Sequence, residues 1–324
     1  MTDNDAARTP PFETIIAEER SDDGASILVG PWRAPLNLLK AQTYADHASI
    51  HDDATAQRLG FRGGTIEGPT HFSQFAPLLL RALGPSWFET GFLAASYRQA
   101  SYENEQVQAR MTLKDQDVVD LTMLKNDGTI VLVGTAGAAA GIGQSVVRQR
   151  LERARPLAEP RILAGCRIGM RAPATTLKLD HDAVLGDLYP FSLADKLGVI
   201  TEPSPWYVPG ARTPWGDPIL PVEMVSVLCQ SVADQDPFPI RQPVVGLFAD
   251  QEIVMLDGPL HAGRRYAIER EIVGLSETPR TESVWIRTRI CDGVTGRPKA
   301  DMLLNQAFLK ASSPLYADPA TALA

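Results

Sequence analysis

Hydrophobic positions in the first half of the chain follow one helical period and then a series of strand-like runs. Phe72, Phe75 and Leu79 recur at spacings of three and four residues, as on one face of a helix. This period predicts an amphipathic helix over residues 68–83, with a kink at Pro77. The runs that follow alternate apolar and polar residues or are short and apolar, as β-strands are. These predicted strands are residues 92–102, 106–114, 117–125 and 129–136.

The second half of the chain repeats this order of elements. A short helix closed by Gly198 is predicted for residues 191–198, and an apolar run predicts a longer helix over residues 220–232. The strand-like runs that follow are residues 244–249, 252–256, 264–275, 281–291 and 301–311. A helix followed by strands, used twice, indicates an internal duplication of an α+β unit in which a helix lies on an antiparallel sheet.

The length of the chain agrees with two units. With 324 residues it can form two domains of moderate size, each with a hydrophobic core. A charged, proline-flanked stretch between the repeats predicts a linker. We therefore expect an N-terminal unit over residues 1–145, a linker over 146–162 and a C-terminal unit over 163–324.

Composition narrows the classes of protein to which the chain can belong. Hydrophobic residues make up 44% and charged residues 22%, which is typical of soluble globular proteins. The net charge of -8 provides no overall electrostatic attraction for nucleic acid or an anionic membrane. No apolar run approaches the roughly 18 residues of a membrane span, and the start of the chain lacks the apolar segment of a signal peptide. Three cysteines without a Cys-x-x-Cys pair favour neither a disulfide framework nor a zinc site. We therefore expect a soluble protein of the reducing cytoplasm.

One stretch carries the residue types that acid–base chemistry needs. Asp46 precedes His51 by five residues, just before a short helix predicted for residues 52–59. Carboxylate and imidazole groups often move protons in catalysis. Gly68 opens the long helix, where unpaired backbone N–H groups and the helix dipole favour negative charge. The residues alone also allow Asp46 to be a turn or capping residue and His51 an exposed residue at the start of a helix.

The same residues resemble a known family. The segment from Asp46 to His51, together with Gly60-Phe61, Ile66 and Gly68, is similar in residue type and spacing to the motif of the MaoC-like (R)-specific enoyl-CoA hydratases and dehydratases. This resemblance implies a tandem, or double, hotdog fold, in which two helix-on-antiparallel-sheet units form one pseudo-dimer. The second half has no Asp-x4-His at the equivalent place, so one chemical site per chain is implied.

The chain departs from the family motif at three places. Ala45 replaces the glycine before the aspartate, and Ala48-Ser49 replaces an Asn-Pro pair. Glu67 stands where many members have a histidine before the glycine at the helix start. Asn-Pro shapes the loop that aims the acid–base pair, so this loop differs from that of the family.

The resemblance implies a hydro-lyase that acts on an acyl thioester, of the 2-enoyl-CoA hydratase or 3-hydroxyacyl-CoA dehydratase type, as in fatty acid metabolism. Asp46 and His51 would hold the catalytic water, one taking its proton while the other delivers a proton to Cα. The Gly68 backbone N–H would stabilise the enolate oxygen. No metal or separate cofactor is implied, because CoA or phosphopantetheine, in an acyl-CoA or acyl-carrier-protein thioester, is part of the substrate.

Five further residues are candidates for binding the substrate. Glu67 and His71 flank the start of the long helix, where a dipole-complementing glutamate and a core or capping histidine are the alternatives. A proline-rich stretch at residues 203–218 predicts a loop that shapes the acyl cavity. Its aromatic residues are Trp206, Tyr207 and Trp215. The candidate phosphate-binding arginines are Arg58, Arg62, Arg98, Arg148, Arg150, Arg153 and Arg155.

Other functions stay open at this point. The same fold could carry diverged chemistry, as a biosynthetic dehydratase, a cyclase, an isomerase or an acyl-CoA thioesterase. It could also bind acyl-CoA without turnover, or stabilise a partner subunit. The two hotdog units can pair within one chain, and the sequence leaves open whether two chains then form a homodimer.

Overall fold

The computed structural model describes residues 11–44, 47–114 and 118–317, and this part of the chain forms one eleven-stranded antiparallel sheet and a separate two-stranded hairpin. The strands of the first half are β1 (Ala17–Arg20), β2 (Ser26–Arg33), β3 (Thr43–Tyr44), β4 (His47–Ala48), β5 (Phe92–Tyr97), β6 (Val107–Leu113), β7 (Val118–Lys125) and β8 (Ile130–Gly137). The strands of the second half are β9 (Thr175–Lys178), β10 (Gly246–Met255), β11 (Arg265–Glu277), β12 (Thr281–Asp292) and β13 (Pro298–Leu309).

The two halves join edge to edge through β5 and β10. The first half contributes strands in the order β1-β2-β6-β7-β8-β5, and the second continues as β10-β13-β12-β11-β9. At the junction Leu93 lies opposite Ile253, and Ser96 lies opposite Asp250. The sheet therefore continues from one unit into the other, as the predicted pseudo-dimer requires. The hairpin of β3 and β4 lies outside this sheet.

The helices are short and begin and end at residues that local sequence explains. They are α1 (Asp53–Arg58), α2 (Ala76–Leu83), α3 (Trp87–Thr90), α4 (Val146–Glu152), α5 (Leu193–Val199) and α6 (Val222–Gln230). The 3₁₀ segments are Gly68–Phe75, Ala139–Gln144, Pro205–Tyr207, Ala233–Gln235, Lys310–Ser312 and Pro314–Tyr316. Asp52 caps α1 by accepting a hydrogen bond from the Thr55 N–H at 2.8 Å, and the chain leaves this helix at Gly60 with a φ of 84°.

The long helix predicted over residues 68–83 is two segments. The 3₁₀ helix Gly68–Phe75, here called the central helix, is followed directly by α2. Pro77 lies in the first turn of α2, where its missing N–H has no helical partner to lose. The break therefore precedes the proline, and the predicted kink within one α-helix is corrected to a change of helix type.

The hydrophobic core is shared between the two halves. Phe72 and Leu79 of the first half belong to the same buried cluster as Met224 and Leu228 of α6. The central helix and α6 also meet through a polar contact, because the Ser73 hydroxyl donates to Glu223 Oε1 at 2.8 Å. The two units are therefore joined by packing as well as by the sheet.

The strands predicted from sequence are confirmed with one correction. Those after the central helix are β5 to β8, and the last three of the second half are β11 to β13. Residues 244–249 and 252–256 were predicted as two strands, but they form the single strand β10. The polar run Asp250 to Glu252 between them is buried in the sheet and hydrogen-bonded. Its bonds to hydroxyl groups involve Ser96, Ser226 and Ser145.

Some elements carry no strong pattern in the sequence. The edge strand β1 consists of exposed and mostly charged residues, so no alternation marks it. The segment predicted as a linker contains α4, which Ser145 caps and whose Val147 side chain is buried. Among the helices that the structure describes, none is long and apolar enough to cross a membrane.

Candidate active site

The loop that carries His51 is held by contacts from three directions. The Ser49 hydroxyl accepts a hydrogen bond from the His51 N–H at 3.1 Å, and the Asn37 side-chain amide donates to the His51 carbonyl at 2.9 Å. Gly64 lies so close that a Cβ there would stand 2.2 Å from the His51 carbonyl oxygen. Ser49, which replaces the proline of the family motif, therefore helps to fix the backbone of the predicted catalytic histidine.

The His51 ring is in a defined tautomer. Its Nδ1 lies 2.7 Å from the Thr65 carbonyl oxygen, which can only accept a hydrogen bond, so Nδ1 carries the proton. Burial lowers the pKa of His51 to about 4, and the nearby Lys196 ammonium acts in the same direction, against the effect of the Thr65 bond. The imidazole is therefore neutral at pH 7, with the lone pair on Nε2.

His51 lines a cavity of about 790 Å³, here called the central cavity, to which both units contribute. Residues of the N-terminal unit around it include Thr65, Glu67, Gly68, His71, Tyr97 and Ser101. Residues of the C-terminal unit around it include Leu247, Phe248, Arg280, Ser283, Asn305 and Gln306. The structure thus brings together His51, Gly68, Glu67 and His71, four of the residues singled out in the sequence. Asp46, the remaining residue predicted to be catalytic, lies outside the described residues.

Glu67 is a buried carboxyl group at the wall of this cavity, with 5% of its surface exposed. It occupies the position before the central helix, but its side chain makes no capping hydrogen bond there. Its Oε1 accepts a hydrogen bond from the Tyr189 hydroxyl at 3.1 Å. Burial raises the pKa of Glu67 to about 7, although the Lys196 charge and the Tyr189 bond oppose this rise. Glu67 thus stands at the helix start, where a dipole-complementing glutamate was the alternative, but its side chain is buried at the cavity wall and bonded to Tyr189.

A buried ion pair lies behind the cavity wall. Lys196 and Glu223, both of the C-terminal unit, are 3% and 2% exposed, and their Nζ and Oε2 atoms are 3.2 Å apart. Lys196 also donates to the Thr70 hydroxyl at 3.2 Å, and Glu223 accepts from Ser73. The second unit, which has no Asp-x4-His motif, thus places a charge pair against the central helix of the first.

The glycine at the start of the central helix is required by a neighbouring ring. A Cβ on Gly68 would stand 2.4 Å from the ring of Tyr97. Tyr97 stacks on Phe72 with ring centroids 6.4 Å apart, and its hydroxyl donates to Gln251 at 3.0 Å. The close approach at Gly68 is therefore made by a side chain of the protein itself.

His71 is fully enclosed at the cavity wall. Its Nε2 lies 2.8 Å from the Ser101 hydroxyl, and its Nδ1 has no hydrogen-bond partner among the described residues. Burial lowers the pKa of His71 to about 3, with Lys196 and Lys125 adding to the effect. His71 is thus a neutral core histidine that also borders the cavity, and its role in binding a substrate stays a prediction.

The aromatic residues of the proline-rich stretch lie elsewhere, so their prediction as cavity-lining residues is corrected. Trp206 packs against Phe12, Phe88 and Trp215, with centroid distances of 6.4, 5.7 and 5.2 Å. Tyr207 is buried and meets Phe12 at 6.0 Å. In the part of the chain that the structure describes, none of Trp206, Tyr207 and Trp215 lines the central cavity. Their rings instead pack the proline-rich stretch against the N-terminal segment and α3.

Two of the seven candidate arginines reach the central cavity. Arg98 and Arg150 line it, and Arg280, which the sequence did not single out, lines it as well. Arg150 is bound to buried Asp250 at 2.6 Å, whereas Arg98 and Arg280 are exposed. The other five candidate arginines are outside the lining of this cavity; they are Arg58, Arg62, Arg148, Arg153 and Arg155. Of these, Arg62, Arg148 and Arg155 form ion pairs with glutamates.

A second cavity of about 380 Å³ adjoins the first. The two cavities are neighbours, since they share five lining residues: Tyr44, Ser49, Ile50, Gly246 and Gln306. The lining of the second cavity mixes polar and apolar side chains, and its charged members include Asp187, Asp236 and Arg270. Its apolar side chains include Leu188, Phe238, Ile240, Val244, Ile286 and Phe308.

Sequence reasoning missed the contributions of Tyr189, Lys196 and Thr65. Thr65 lies near His51 in the chain, but it binds the His51 ring through its backbone carbonyl, a group that every residue carries. Tyr189 and Lys196 come from the other unit and carry no motif. Among the described residues, no group of three or more histidine, cysteine or acidic side chains could hold a metal ion.

The fold is a double hotdog. A conserved hypothetical protein from Mycobacterium tuberculosis, described as having a double hotdog fold, superposes with a TM-score of 0.52 at 10% identity, covering 94% of this chain and 98% of that one. A protein from Chloroflexus aurantiacus, provisionally described as a MaoC domain protein dehydratase, gives a TM-score of 0.52 at 11% identity, covering 94% of this chain and 96% of that one. No family model matches the chain, and no curated protein matches it.

Proposed function

We propose that the protein is a hydro-lyase that adds water to a 2-enoyl thioester or removes it from a 3-hydroxyacyl thioester. The observation that carries this proposal is the state of His51. It is a neutral imidazole, with the proton on Nδ1 and a lone pair on Nε2, at a cavity between two hotdog units. Such a group can accept a proton from carbon or from water at neutral pH.

The scheme needs a second group to exchange the other proton. The family resemblance assigns this role to Asp46, five residues before His51. In this scheme the two side chains hold the catalytic water, and one takes its proton while the other delivers a proton to Cα. This assignment of Asp46 is a prediction, since the residue lies outside the described part of the chain.

Gly68 is the candidate for stabilising the enolate oxygen. It lines the central cavity at the start of the central helix, and the next residue, Pro69, has no N–H. The Gly68 amide is therefore the backbone donor available at this point, where a helix start favours negative charge. A hydrogen bond from it to the thioester oxygen would strengthen as the enolate forms.

The surroundings of the cavity suit an acyl group on a phosphorylated carrier. Exposed Arg98 and Arg280 lie where the central cavity meets solvent, and guanidinium groups bind phosphate well. Apolar side chains on one part of the second cavity, among them Leu188, Phe238 and Phe308, could contact the end of an acyl chain. These features support CoA or the phosphopantetheine of a carrier protein as the thioester carrier.

The experiment is an assay with crotonyl-CoA and longer enoyl-CoA thioesters, with products identified by mass spectrometry. We expect a gain of one water by the wild-type protein. His51→Ala and Asp46→Ala should each lower kcat/KM by about 10²- to 10⁴-fold, because each removes a proton-transfer group.

His181→Ala is the matched control, since His181 is a partly exposed histidine that does not line the cavity. It should retain wild-type activity. Undiminished hydration in both His51→Ala and Asp46→Ala would refute the mechanism. Release of the free acid would instead identify a thioesterase, and binding of acyl-CoA without turnover would identify a non-catalytic hotdog protein.

A further inference from the structure

Glu67 has the environment of a working acid rather than of a structural carboxylate. It is buried, it lines the same cavity as His51, and its side chain does not cap the helix whose start it occupies. We propose that Glu67 is a catalytic residue of the hydro-lyase, which exchanges a proton with the oxygen that enters or leaves at Cβ, and that Tyr189 positions its carboxyl group. This inference rests on the proposed function and changes one assignment in it: Glu67, rather than Asp46, exchanges the proton at the Cβ oxygen, and Asp46 keeps the role of holding the catalytic water.

The distribution of charge around Glu67 supports this role. Lys196, a cation that contacts the central helix, is engaged with Glu223 and Thr70, each at 3.2 Å. The described hydrogen bond to Glu67 comes from a neutral phenol, Tyr189. A buried carboxyl group without a directly bonded cation holds its proton to higher pH than an exposed one. Glu67 can therefore be protonated or ionised near neutral pH, as proton exchange in both directions requires.

Tyr189 also decides which oxygen carries the proton. Its hydroxyl donates to Oε1, so a proton on the Glu67 carboxyl group resides on Oε2. The loop that carries Tyr189 is tied to the N-terminal unit, because the Gln42 side chain donates to the Leu188 carbonyl at 2.6 Å. The second hotdog unit thereby takes part in the site through a positioning residue.

In dehydration, His51 Nε2 takes the proton from Cα, and the electrons of that bond form the double bond between Cα and Cβ by way of the enolate. The bond between Cβ and the hydroxyl oxygen breaks, its electron pair stays on the oxygen, and the proton from Glu67 Oε2 completes a water molecule. His51 is then an imidazolium and Glu67 a carboxylate, and transfer of one proton from His51 to Glu67 resets the site. Hydration is the reverse.

This scheme predicts the pH dependence of the reaction. The pair of His51 and Glu67 must together hold one proton in either direction, so kcat/KM for hydration and for dehydration share one pH profile. Since burial raises the pKa of Glu67 to about 7, kcat/KM should fall above about pH 7, tenfold for each further unit. The profile is measured with crotonyl-CoA as substrate between about pH 5 and 9.

Glu67→Gln tests the assignment. An amide of the same size cannot exchange the proton, so we expect kcat/KM to fall by about 10²-fold or more, with the residual activity independent of pH near neutrality. Glu67→Asp should retain more activity than Glu67→Gln. The control is Glu202→Gln, a buried carboxyl group bound to Arg33 at 2.7 Å and outside the described lining of the cavity. It should keep the wild-type pH profile.

Tyr189→Phe provides a second test that leaves the carboxyl group in place. The Tyr189 bond stabilises the carboxylate, so its removal should raise the pKa of Glu67 and move the fall in kcat/KM to higher pH. If Tyr189 had only a structural role, its removal would leave the pH at which kcat/KM falls unchanged. If Glu67→Gln fails to fold, judged by circular dichroism, the Tyr189→Phe profile decides the question.

Three results would overturn the proposal, and they are distinguishable. Glu67→Gln activity within about threefold of wild type would exclude Glu67 as the acid. If the fall in kcat/KM above neutral pH persists in Glu67→Gln and disappears in Asp46→Asn, the acid is Asp46 rather than Glu67. A wild-type protein that neither hydrates nor dehydrates any of the thioesters would refute the proposed function, and the inference with it.

Discussion

Gly68 and Tyr97 illustrate how one residue can have two explanations that only contacts distinguish. A glycine at a helix start suggests a place where a ligand approaches the backbone. Here the ring of Tyr97 already occupies that space, and the same tyrosine stacks on Phe72 and bonds Gln251 across the unit boundary. The absence of a side chain at Gly68 is thus needed for packing, whatever its amide does for a substrate.

Gly68→Ala should therefore destabilise the protein even without substrate. The added methyl group would displace the Tyr97 ring, and overpacking of this kind costs about 1–3 kcal/mol. The free energy of unfolding is measured by denaturant titration. Gly143→Ala is the control, because a Cβ there meets nothing within 4 Å. A change below about 0.5 kcal/mol in Gly68→Ala would show that the ring yields without loss.

At the scale of elements, the central helix and α6 are joined by buried charges. Lys196 of α5 and Glu223 of α6 lie against Thr70 and Ser73 of the central helix. An ion pair in such a place is weak evidence for net stability, but loss of one partner leaves the other charge buried and unpaired. The two residues should therefore be strongly coupled.

A double-mutant cycle measures this coupling. Lys196→Met and Glu223→Leu should each lower the free energy of unfolding by about 3–5 kcal/mol, and the double variant by clearly less than the sum. The same cycle on Arg264 and Asp217, an exposed pair at 2.7 Å, should give a much smaller coupling, because solvent screens exposed charges. Equal coupling in the two cycles would contradict a role for burial.

At the scale of the whole molecule, the continuous sheet and the shared core make the two hotdog units one body. The pairing of β5 with β10 crosses the boundary, and one buried cluster contains residues of both halves. Elements joined in this way are expected to open together rather than separately.

Hydrogen exchange can test this cooperativity. Leu121→Ala, in the core of β7, should lower the free energy of unfolding by about 2–5 kcal/mol. We expect the protection of the slowest amides to fall equally in β7 and in β12, which lies in the other unit. Loss of protection confined to the first unit would show that the halves unfold independently.

Local patterns were enough for much of this architecture. The alternation in β6, β7 and β11 follows from the two-residue repeat of a strand. Asp52 and Gly60 mark the ends of α1 through contacts a few residues apart. That His51 and Gly68 belong to one site was implied by the family resemblance rather than by any local pattern, and both line the central cavity.

Contacts between segments that are far apart in the chain could not be predicted from local sequence patterns. Tyr189 meets Glu67 across 122 residues of chain, and Lys196 meets Thr70 across 126. The polar run in β10 looked like a break because its partners are strands and helices of both units, and the aromatic stretch looked like a pocket wall although it packs against Phe12 and Phe88. The hydrophobic periodicity of a segment depends on its own secondary structure and on which of its faces is buried. Which side chain of one unit reaches the site of the other depends on how the two units pair, and no local pattern encodes that.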